Sequence, residues 1–592
     1  MPAPLRPHET TPRARRLVLA TVALLAFTPS FGTLGAPLLA DDGAILGSVA
    51  RRDVLADLWG PQYGLELIRF WRPLTTWSWA AQLATTGVDP LPLRALNLAC
   101  HLATACLGAT ILFRLRAPYL AALATGATIA LFPYQGGTVT WVAGRVDSLC
   151  ACFVLLAGAT ALGPRPALAA LPAALACATK EQGFCVVAWI VLLRWAAGDA
   201  PAAVARRTWV PCAAVLACLL WRSVALGTAV GGYGGERPTL GSVVRAASAW
   251  APPVAPLLLG MAALSVLALV LHGRAGIQGR LALAGLGIGV AGFAPLLPML
   301  SNGVLEEQNA RWLLAGEAGF ALTVGAACWG ARELTGKRVA LVLPLALLLL
   351  QRGRDAWLDT HEWAEAGGVA EQRLGQARAL VAGEPPSERP VLFDGFPVAW
   401  EGAYCLGFGA VDRLRAPFEP SPRPVWPLRP LFGARSSQRP PARALRPDGS
   451  LRPWEDLAPP ALRLLVDGAP ATALVLGEDV LTEGTSLPLL RVEGADPGTR
   501  LEWIAYTELG YEPAAWCEVG SSQPAVSLRD LLLLGNGRVS LGQALLLSAD
   551  SGAERGYLEL RALDADGVVL ASSAWIELTW PRSLVARAAL AL

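Results

Sequence analysis

The stretch LVLATVALLAFTPSFGTLGAPLLADDGAILGSVARRD, residues 17–53, decides the fold class of this chain. Its first part, residues 17–40, is an almost unbroken apolar run, and about 20 apolar residues suffice for a helix to cross a bilayer. The run follows an Arg-rich tail, residues 1–16, but it is long for the apolar core of a secretory signal and lacks a clean small-x-small cleavage site. We therefore predict a cytoplasmic N-terminal tail and a retained first transmembrane helix.

Two adjacent carboxylates, Asp41 and Asp42, stand where this apolar run ends. Like charges at neighbouring positions repel each other, so the pair requires water, a cation or a functional role. A solvated pair that only marks the end of a helix is the alternative, and the two residues by themselves do not decide between these interpretations.

The composition of the whole chain is that of a membrane protein. Of its 592 residues, 54% are hydrophobic and only 16% are charged, and the mean hydropathy is +0.44. These values are too apolar for a soluble globular protein of this size. The net charge of +3 gives no basis for nucleic-acid binding, so we predict no nucleic-acid partner. The basic residues are almost all arginine, which together with abundant Ala, Leu, Gly and Pro indicates a high-GC bacterial genome.

Apolar runs recur along residues 17–351, which predicts an α-helical polytopic membrane bundle of about eleven transmembrane helices. The candidate spans are residues 17–40, 93–113, 118–133, 147–163, 166–179, 183–196, 208–226, 253–271, 281–298, 311–330 and 339–351. The pair within residues 166–196, around ATKEQGFC, is alternatively a re-entrant hairpin. Residues 41–92 then form the first extracytoplasmic loop.

The charged residues between the spans predict the orientation of the bundle. One set of loops is basic and is cytoplasmic by the positive-inside rule: Arg13, Arg15, Arg16, Arg114, Arg116, Arg206, Arg207, Arg274, Arg280, Lys337 and Arg338. The acidic residues map to the opposite face: Asp41, Asp42, Asp53, Asp57, Glu66, Asp89, Asp147, Glu181, Glu236, Glu306 and Glu307. We predict a multi-pass protein of the bacterial inner membrane. An odd number of spans leaves its C-terminal part extracytoplasmic, in the periplasm.

The composition changes after residue 351. Residues 352–416 read as a mixed α/β segment, and residues 417–460 as a Pro/Arg-rich linker. Residues 461–592 give strand signals at intervals, with DADG as a hairpin turn, which predicts a β-sandwich-like domain. Its residues suggest no catalysis, and its role is left open.

Polar side chains interrupt or border the apolar spans, where each carries a cost and is a functional candidate. Each cluster also has a structural explanation. Arg69 and Arg72, within RFWRPLTTWSW, fit an interfacial aromatic belt. Asn97 and His101 share one helix face and fit an inter-helix hydrogen bond. The remaining charges are Arg145 with Asp147, Lys180 with Glu181, and Arg311; a mutual Arg145–Asp147 ion pair is disfavoured because i and i+2 do not share a helix face.

The order of these motifs resembles one family. DDGAI, RPL, N-x-x-x-H, FP-(x)7-W-V-x-G-R-x-D, KE, WR-(x)3-LG and ARWLLAGEAG resemble the multispanning C-type (GT-C) glycosyltransferases. The branch they look most like contains the protein O-mannosyltransferases and the transmembrane, tetratricopeptide-repeat O-mannosyltransferases. The resemblance covers about residues 17–330, and the C-terminal part has no tetratricopeptide period. The pair Asp41–Asp42 stands where that branch has Asp-Glu, and the branch's soluble domain is missing, which puts a protein acceptor in doubt.

The resemblance implies a reaction and a donor. Such enzymes move a sugar from a polyprenyl-phosphate lipid in the bilayer to an extracytoplasmic acceptor, usually with inversion at the anomeric carbon. It implies that Asp41 is the general base, that Asp42 positions the acceptor or a cation, and that Asp147 is a second acidic position. The acceptor is a cell-surface glycan, a lipid or a protein, and the oligomeric state is open.

The resemblance also suggests residues around the lipid phosphate. Lys180, Arg145 and Arg311 are the candidates to pair with it, and His101 would orient a carboxylate or the phosphate. Arg72 and Glu181 complete the predicted binding set. No Cys/His cluster has the spacing of a metal site. Metal dependence varies within the superfamily, so the sequence leaves a divalent cation (Mg²⁺ or Mn²⁺) open.

Two other classes of function are alternatives to sugar transfer. A catalytically inactive, transferase-like scaffold or sensor would tolerate loss of the acidic pair, and both acids are present. A lipid or solute transporter would carry internal repeats with broken helices at mid-membrane, and the sequence has no such repeat.

Overall fold

The structure is a computed structural model of the chain, and it is described here for a defined set of residues. The described residues are 11–64, 69–228, 259–266, 276–296, 307–335, 339–383, 391–394, 399–400, 403–406, 412–414, 417–418, 425–427, 442–445, 451–453, 460–475, 489–494, 500–507, 525–527, 555–563, 569–573, 576–579 and 581. The chain divides into two compact units. One comprises Met1–Ala370 with Ala399–Cys405, and the other Glu371–Val398 with Leu406–Leu592.

The first unit is helical. Its helices are α1 Pro12–Phe27, α2 Asp42–Arg51, α3 Pro73–Thr86, α4 Pro90–Arg114, α5 Tyr119–Ala130, α6 Arg145–Ala161, α7 Ala170–Cys177, α8 Val186–Ala196, α9 Pro201–Leu226, α10 Ile277–Phe293, α11 Leu314–Thr335 and the part of α12 Val339–Gly383 that ends at Ala370. Four stretches among the described residues are long and apolar enough to cross a membrane: Pro90–Arg114, Val142–Ala161, Pro201–Leu226 and Ala310–Ala331. Most of the predicted span 253–271 lies outside the described residues. The total of about eleven spans stays a prediction.

The first predicted span is shorter than its apolar run. Helix α1 ends at Phe27, and a single 3₁₀ turn, Thr28–Ser30, follows it. Pro29 interrupts the helical hydrogen bonding, and Gly32 has a φ of +88° that helices do not use. Residues 31–40 therefore form an irregular loop. Asp41 follows this loop as the N-cap residue of α2, and Asp42 is the first residue of that helix.

Contacts along α4, α5 and α6 define the two ends of the bundle. At one end, Arg15 of α1 lies over the ring of Phe113, and Arg114 donates to the carbonyl of Ala159. This end is called the arginine end. Helix α5 returns from it, and the chain then reaches Arg145 and the start of α6. The opposite end holds Asp41, Asp42, Asp147 and Glu181 and is called the acidic end.

Helices α7 and α8 form a hairpin with Lys180 and Glu181 at its tip, at the acidic end. Helix α8 returns to the arginine end, where Arg194 donates to the carbonyl of Ala161 over 3.4 Å. The tip can fold this tightly because residue 183 is glycine: a Cβ atom there would collide with the backbone of Ala176.

Helix α12 is continuous over 45 residues, so the predicted boundary between residues 351 and 352 falls inside it. The composition becomes polar at that point, but no proline follows Pro344 within the helix to interrupt the hydrogen-bonding pattern. The change of composition is therefore not a change of secondary structure.

The second unit carries most of the strands, and the small β2–β3 pair belongs to the first. The strands are β1 Val391–Asp394, β2 Ala399–Trp400, β3 Ala403–Tyr404, β4 Val425–Pro427, β5 Ala442–Leu445, β6 Leu451–Pro453, β7 Pro460–Val466, β8 Ala469–Pro470, β9 Ala473–Val475, β10 Leu489–Glu493, β11 Arg500–Thr507, β12 Ala525–Ser527, β13 Arg555–Leu563, β14 Val569–Ser573 and β15 Ile576–Thr579. One sheet has the order β4-β1-β5-β6, and a larger one has the path β12-β10-β7-β14-β13-β15-β9.

Three strands of the smaller sheet fall in the predicted linker 417–460. Its two edge strands, β4 and β6, end at Pro427 and Pro453, and an edge strand tolerates the missing N–H of proline. Further along, β13 and β14 pair antiparallel on either side of the predicted DADG turn, which itself lies outside the described residues. The β-sandwich stays a prediction.

Candidate functional site at the acidic end

Asp42 joins two loops at the acidic end. Its side chain is fully buried. Its Oδ2 accepts from the backbone N–H of Leu39 over 3.2 Å, and its Oδ1 accepts from that of Ala143 over 3.1 Å. The carboxylate therefore holds the turn of residues 39–42 against the turn of residues 141–144, which is a positioning role.

Arg94 of α4 reinforces the same junction. Its guanidinium is fully buried and donates to the carbonyl of Pro37 over 2.7 Å, and also to the carbonyls of Ala36 and Thr140. The last residue of that turn is glycine, and a Cβ at Gly144 would collide with the carbonyl of Gly137. The loop before Asp41 and the loop before α6 are thus fixed to each other.

The Asp41 carboxyl differs from that of Asp42 in its hydrogen bonding. Its Oδ1 is buried and has no hydrogen-bond partner among the described residues. Burial raises the pKa of Asp41 to about 6, and the nearby Arg311 opposes that rise. Burial raises the pKa of Asp42 to about 7, which Arg94 opposes. A carboxyl with a pKa near neutrality can accept a proton and release it at working pH.

Asp147 lies between two buried cations. Lys180 donates to its Oδ1, and Arg311 donates from Nε to its Oδ2 over 3.1 Å. The side chains of Asp147 and Lys180 are each 2% exposed, and that of Arg311 is 9% exposed. The structure thus brings together three predicted site residues from α6, the α7–α8 hairpin and the turn Glu307–Leu313 before α11.

Aromatic rings surround Arg311. Its guanidinium carbon lies 4.1 Å from the ring centroid of Trp141 and 5.6 Å from that of Trp312. Trp141 in turn stacks on the ring of Trp363, with centroids 5.1 Å apart. Rings and carboxylate together fix the position of the guanidinium.

A second ion pair adjoins the first through the peptide bond between Lys180 and Glu181. Arg72 donates to Glu181 Oε2 from Nε over 3.0 Å and from Nη2 over 2.6 Å. The Arg72 guanidinium also lies 3.7 Å from the ring centroid of Phe70. Arg222 of α9 is close enough to act on the Glu181 charge. The two carboxylates and their cations form one buried charged cluster, called the charged cluster below: Arg72, Asp147, Lys180, Glu181, Arg222 and Arg311.

Two of the residues predicted to surround the lipid phosphate, Arg145 and His101, lie outside the charged cluster. Arg145 is fully buried and donates to Asn97 Oδ1 over 2.9 Å, to the carbonyl of Leu93 over 2.7 Å and to Ser78 Oγ over 3.4 Å, so these partners lie on α3 and α4 and do not include Asp147. His101 places Nε2 3.1 Å from the carbonyl of Ala130. These contacts join α4 to α5 and to the start of α6.

Two further residues at the acidic end were not singled out from the sequence. Asp359 of α12 accepts from the backbone N–H of Gly136 over 2.5 Å, and burial raises its pKa to about 8. Trp141 carries the ring that supports Arg311. A signal existed for Trp141, which stands in the motif W-V-x-G-R-x-D, whereas Asp359 lies beyond the last predicted span.

The next feature is the set of potential metal ligands among the described residues. Within that part of the chain, no group of three or more His, Cys, Asp or Glu side chains could hold a metal ion. The charged cluster has the opposite donor set, since its cations surround its carboxylates, and such a set fits an anion rather than Mg²⁺ or Mn²⁺.

Comparisons with known proteins give one structural similarity. No protein-family model matches the chain. No curated protein matches it either. The crystal structure of the Archaeoglobus fulgidus oligosaccharyltransferase, tethered with an acceptor peptide containing the NVT sequon via a disulfide bond, is similar to it with 12% identity and a TM-score of 0.42. That similarity covers 70% of this chain and 64% of the oligosaccharyltransferase chain.

Proposed function

We propose that this protein is a membrane glycosyltransferase of the GT-C type, which moves a sugar from a polyprenyl-phosphate donor to an extracytoplasmic acceptor. One observation carries the proposal. The buried carboxyl of Asp41 lies near the guanidinium of Arg311 and the indole N–H of Trp141, beside the charged cluster. A base beside an anion-binding group is what attack on a phosphate-linked sugar requires.

The base and the cations perform different tasks in the reaction. An acceptor hydroxyl attacks the anomeric carbon, a new C–O bond forms, and the bond from that carbon to the phosphate oxygen breaks with inversion. The hydroxyl proton passes to Asp41. The departing lipid phosphate carries the negative charge, and Lys180 and Arg311 stabilise it with charge-assisted hydrogen bonds. Asp147 holds these two cations in place.

The energetics of the charged cluster favour a functional role. A buried ion pair contributes little net stability, because desolvation of its charges offsets their attraction. Ionisable side chains near the ends of membrane helices are accordingly treated as functional candidates. Arg72, Glu181 and Arg222 add further buried charges to the same cluster.

The proposal also covers the branch of the family, the side of the membrane and the roles of Arg145 and His101. The motif series from Asp41 to Arg311 supports membership of the branch with the O-mannosyltransferases, with Asp-Asp as a variant of its acidic motif. The acidic end would face the periplasm of a bacterium, together with the C-terminal strands. Arg145 and His101 would then act as positioning residues for α4 and α6.

The test is transfer of label from a panel of radiolabelled polyprenyl-phosphate sugars, in membranes that carry wild type, Asp41→Asn or Asp89→Asn. Asp89 is the matched control, because it caps α4 by accepting from the N–H of Leu91 and asparagine caps a helix equally well. We expect transfer with wild type and Asp89→Asn, and a loss of about 100-fold or more with Asp41→Asn.

Other outcomes favour the rival classes. Equal transfer by wild type and Asp41→Asn would remove Asp41 as the base and make Asp147 the next candidate. A deletion phenotype rescued equally by wild type and by Asp41→Asn/Asp42→Asn would favour a non-catalytic scaffold. Movement of intact donor across vesicles without sugar transfer would favour a transporter.

A further inference from the structure

Ala40, the residue before the candidate base, has a backbone conformation that alanine rarely adopts. Its φ is +50°, which lies in the left-handed region. A Cβ atom makes this region unfavourable, so alanine stays there only where the surrounding structure enforces it. Three other described residues that are not glycine have a positive φ: Tyr63, Arg116 and Asp467. Of these four positions, Ala40 is the one that adjoins a predicted site residue.

Two helices and Asp42 hold the loop before Ala40. Arg94 of α4 donates to the carbonyl of Pro37, and Asp42 accepts from the N–H of Leu39. Helix α12 approaches the same loop at Gly367, where a Cβ atom would lie 2.7 Å from the carbonyl oxygen of Pro37. These contacts fix residues 37–39, but none of them uses the N–H of Ala40.

The N–H of Ala40 binds a segment that follows α12 in the chain. It donates to the carbonyl of Cys405 over 2.6 Å. Cys405 directly follows β3 of the antiparallel β2–β3 pair. Its side chain is fully buried, and its thiol donates to the carbonyl of Ala366 in α12 over 3.3 Å. The β2–β3 pair is therefore anchored to α12 and binds the residue before Asp41.

The same strand pair also contacts the acidic end through a ring. Tyr404 packs edge-on against Trp141, with ring centroids 5.4 Å apart, and against Trp363 of α12, with centroids 6.3 Å apart. The side chain of Trp141 lies beside both Arg311 and Asp41. The β2–β3 pair thus contacts the residue before the candidate base and the ring next to its carboxyl.

We propose that the β2–β3 pair with Cys405 is a positioning element of the acidic end, which holds Ala40 in its left-handed conformation and thereby fixes the direction of the Asp41 carboxyl. The proposal rests on the proposed glycosyl transfer and extends its site to a segment beyond the membrane bundle. Without the bond from Cys405, Ala40 relaxes to a favoured region of φ and ψ, and the peptide plane before Asp41 rotates. The carboxyl then leaves its buried place beside Arg311 and meets water.

Substitutions of similar size at Ala40 separate backbone conformation from side-chain volume. Asparagine adopts the left-handed region readily, whereas threonine is β-branched and rarely adopts it. Glycine adopts the region without strain. We expect Ala40→Gly and Ala40→Asn to keep most of the wild-type kcat. Ala40→Thr should lower kcat about tenfold or more at an unchanged donor KM, because the charged cluster is intact.

The pH profile distinguishes a displaced base from a less stable protein. Burial is the main cause that raises the pKa of Asp41 to about 6. A carboxyl that meets water loses this effect, so the pH midpoint of kcat should move to lower pH in Ala40→Thr. The substitution changes none of the charged groups around Asp41, which are Arg311 and Asp42, with Arg94 behind Asp42 and Asp147 behind Arg311.

Arg116 at the arginine end provides the matched control. Its φ is +63° and its side chain is exposed, so Arg116→Thr imposes a similar backbone strain at the opposite end of the bundle. Thermal unfolding in detergent should occur at a lower temperature in both threonine variants. The kcat and its pH midpoint should change in Ala40→Thr alone.

The strand pair itself is tested at Tyr404. Tyr404→Leu removes the ring contacts with Trp141 and Trp363, so it should lower kcat and move the pH midpoint in the same direction as Ala40→Thr. Tyr404→Phe keeps the ring and should recover most of that loss.

The outcomes separate this inference from the proposed function. Equal losses of kcat in Ala40→Asn and Ala40→Thr would mean that side-chain volume matters and the backbone conformation does not. A wild-type kcat and pH midpoint in Tyr404→Leu would mean that the strand pair is passive. Either result overturns the positioning role, and the glycosyltransferase stands if transfer still depends on Asp41. If transfer is indifferent to Asp41, or no donor is used, the proposed function fails and this inference fails with it.

Discussion

The two ends of the helical bundle each hold an aspartate between two cations, and they differ in burial. At the acidic end, Asp147 pairs with Lys180 and Arg311, and none of these three side chains is more than 9% exposed. At the arginine end, Asp199 pairs with Arg194 and Arg207, and it is 16% exposed while Arg207 is 44% exposed. The arrangement of charges is similar, but the surroundings are not.

Under the proposed function, this difference separates a structural pair from a functional one. An exposed pair is screened by water and contributes about 0–1 kcal/mol, so the Asp199–Arg207 pair fixes a loop and little more. A buried group of charges is strongly destabilised when one partner is removed, because the others remain desolvated. Under the proposed function, the anion that the acidic end would bind is the reason for these buried charges.

The largest expected effect follows from removal of the two aspartates. Asp147→Asn leaves Lys180 and Arg311 buried without a carboxylate, and we expect a loss of about 3–5 kcal/mol in the free energy of unfolding. Asp199→Asn should cost less, because Asp199 is partly exposed and Arg194 keeps the carbonyl of Ala161 as an acceptor. Denaturant unfolding in detergent measures both. Equal losses at the two ends would contradict the comparison.

Removal of one cation at each end sharpens the functional side of the comparison. Lys180→Met removes a charge-assisted bond to the lipid phosphate, worth about 1.5–3 kcal/mol, so the donor KM should rise at least tenfold. Arg207→Met serves as the control at the arginine end and should leave the donor KM unchanged. A donor KM that changes equally in both variants would show that Lys180 does not contact the phosphate.

Asp359 tests whether the acidic end also uses carboxylates purely for support. Asp359→Ala leaves the buried N–H of Gly136 without its acceptor, which should cost about 1–3 kcal/mol of stability. Asp359→Asn keeps an acceptor oxygen and should cost less. Thermal unfolding measures both, and equal losses in the two variants would mean that the charge, rather than the hydrogen bond, matters.

The pH dependence of transfer provides the smallest and most specific prediction. Asp41 acts as a base only when ionised, and its pKa is raised to about 6, so kcat should rise with pH and level off above that value. Between pH 5 and 7 the rise should be about tenfold. Asp199→Asn should have the same profile as wild type. A flat profile over this range would contradict the assignment of the base.

Local sequence patterns predicted those features of the site that depend only on residues close together in the sequence. The end of the apolar run placed Asp41 and Asp42, although the helix stops at Phe27 and a loop covers the remaining distance. The spacing argument against an Arg145–Asp147 pair agrees with the contacts, since Arg145 binds Asn97. Helix periodicity requires only the neighbouring residues, so such inferences do not need the tertiary fold.

Contacts between distant segments could not be predicted in this way. Arg311 meets Asp147 across a sequence separation of 164 residues, and Asp359 meets Gly136 across 223. Only the tertiary fold brings these segments together. The sequence likewise gave no reason to separate Asp42, whose oxygens are used by backbone N–H groups, from Asp41, whose Oδ1 has no described partner.

The most direct measurement compares donor binding with sugar transfer in membranes that carry Asp41→Asn. The account predicts that the variant binds a labelled polyprenyl-phosphate sugar as wild type does, because the charged cluster is intact, while transfer at saturating donor falls about 100-fold or more. Transfer at the wild-type rate, with the donor bound normally, would contradict the claim that Asp41 is the base.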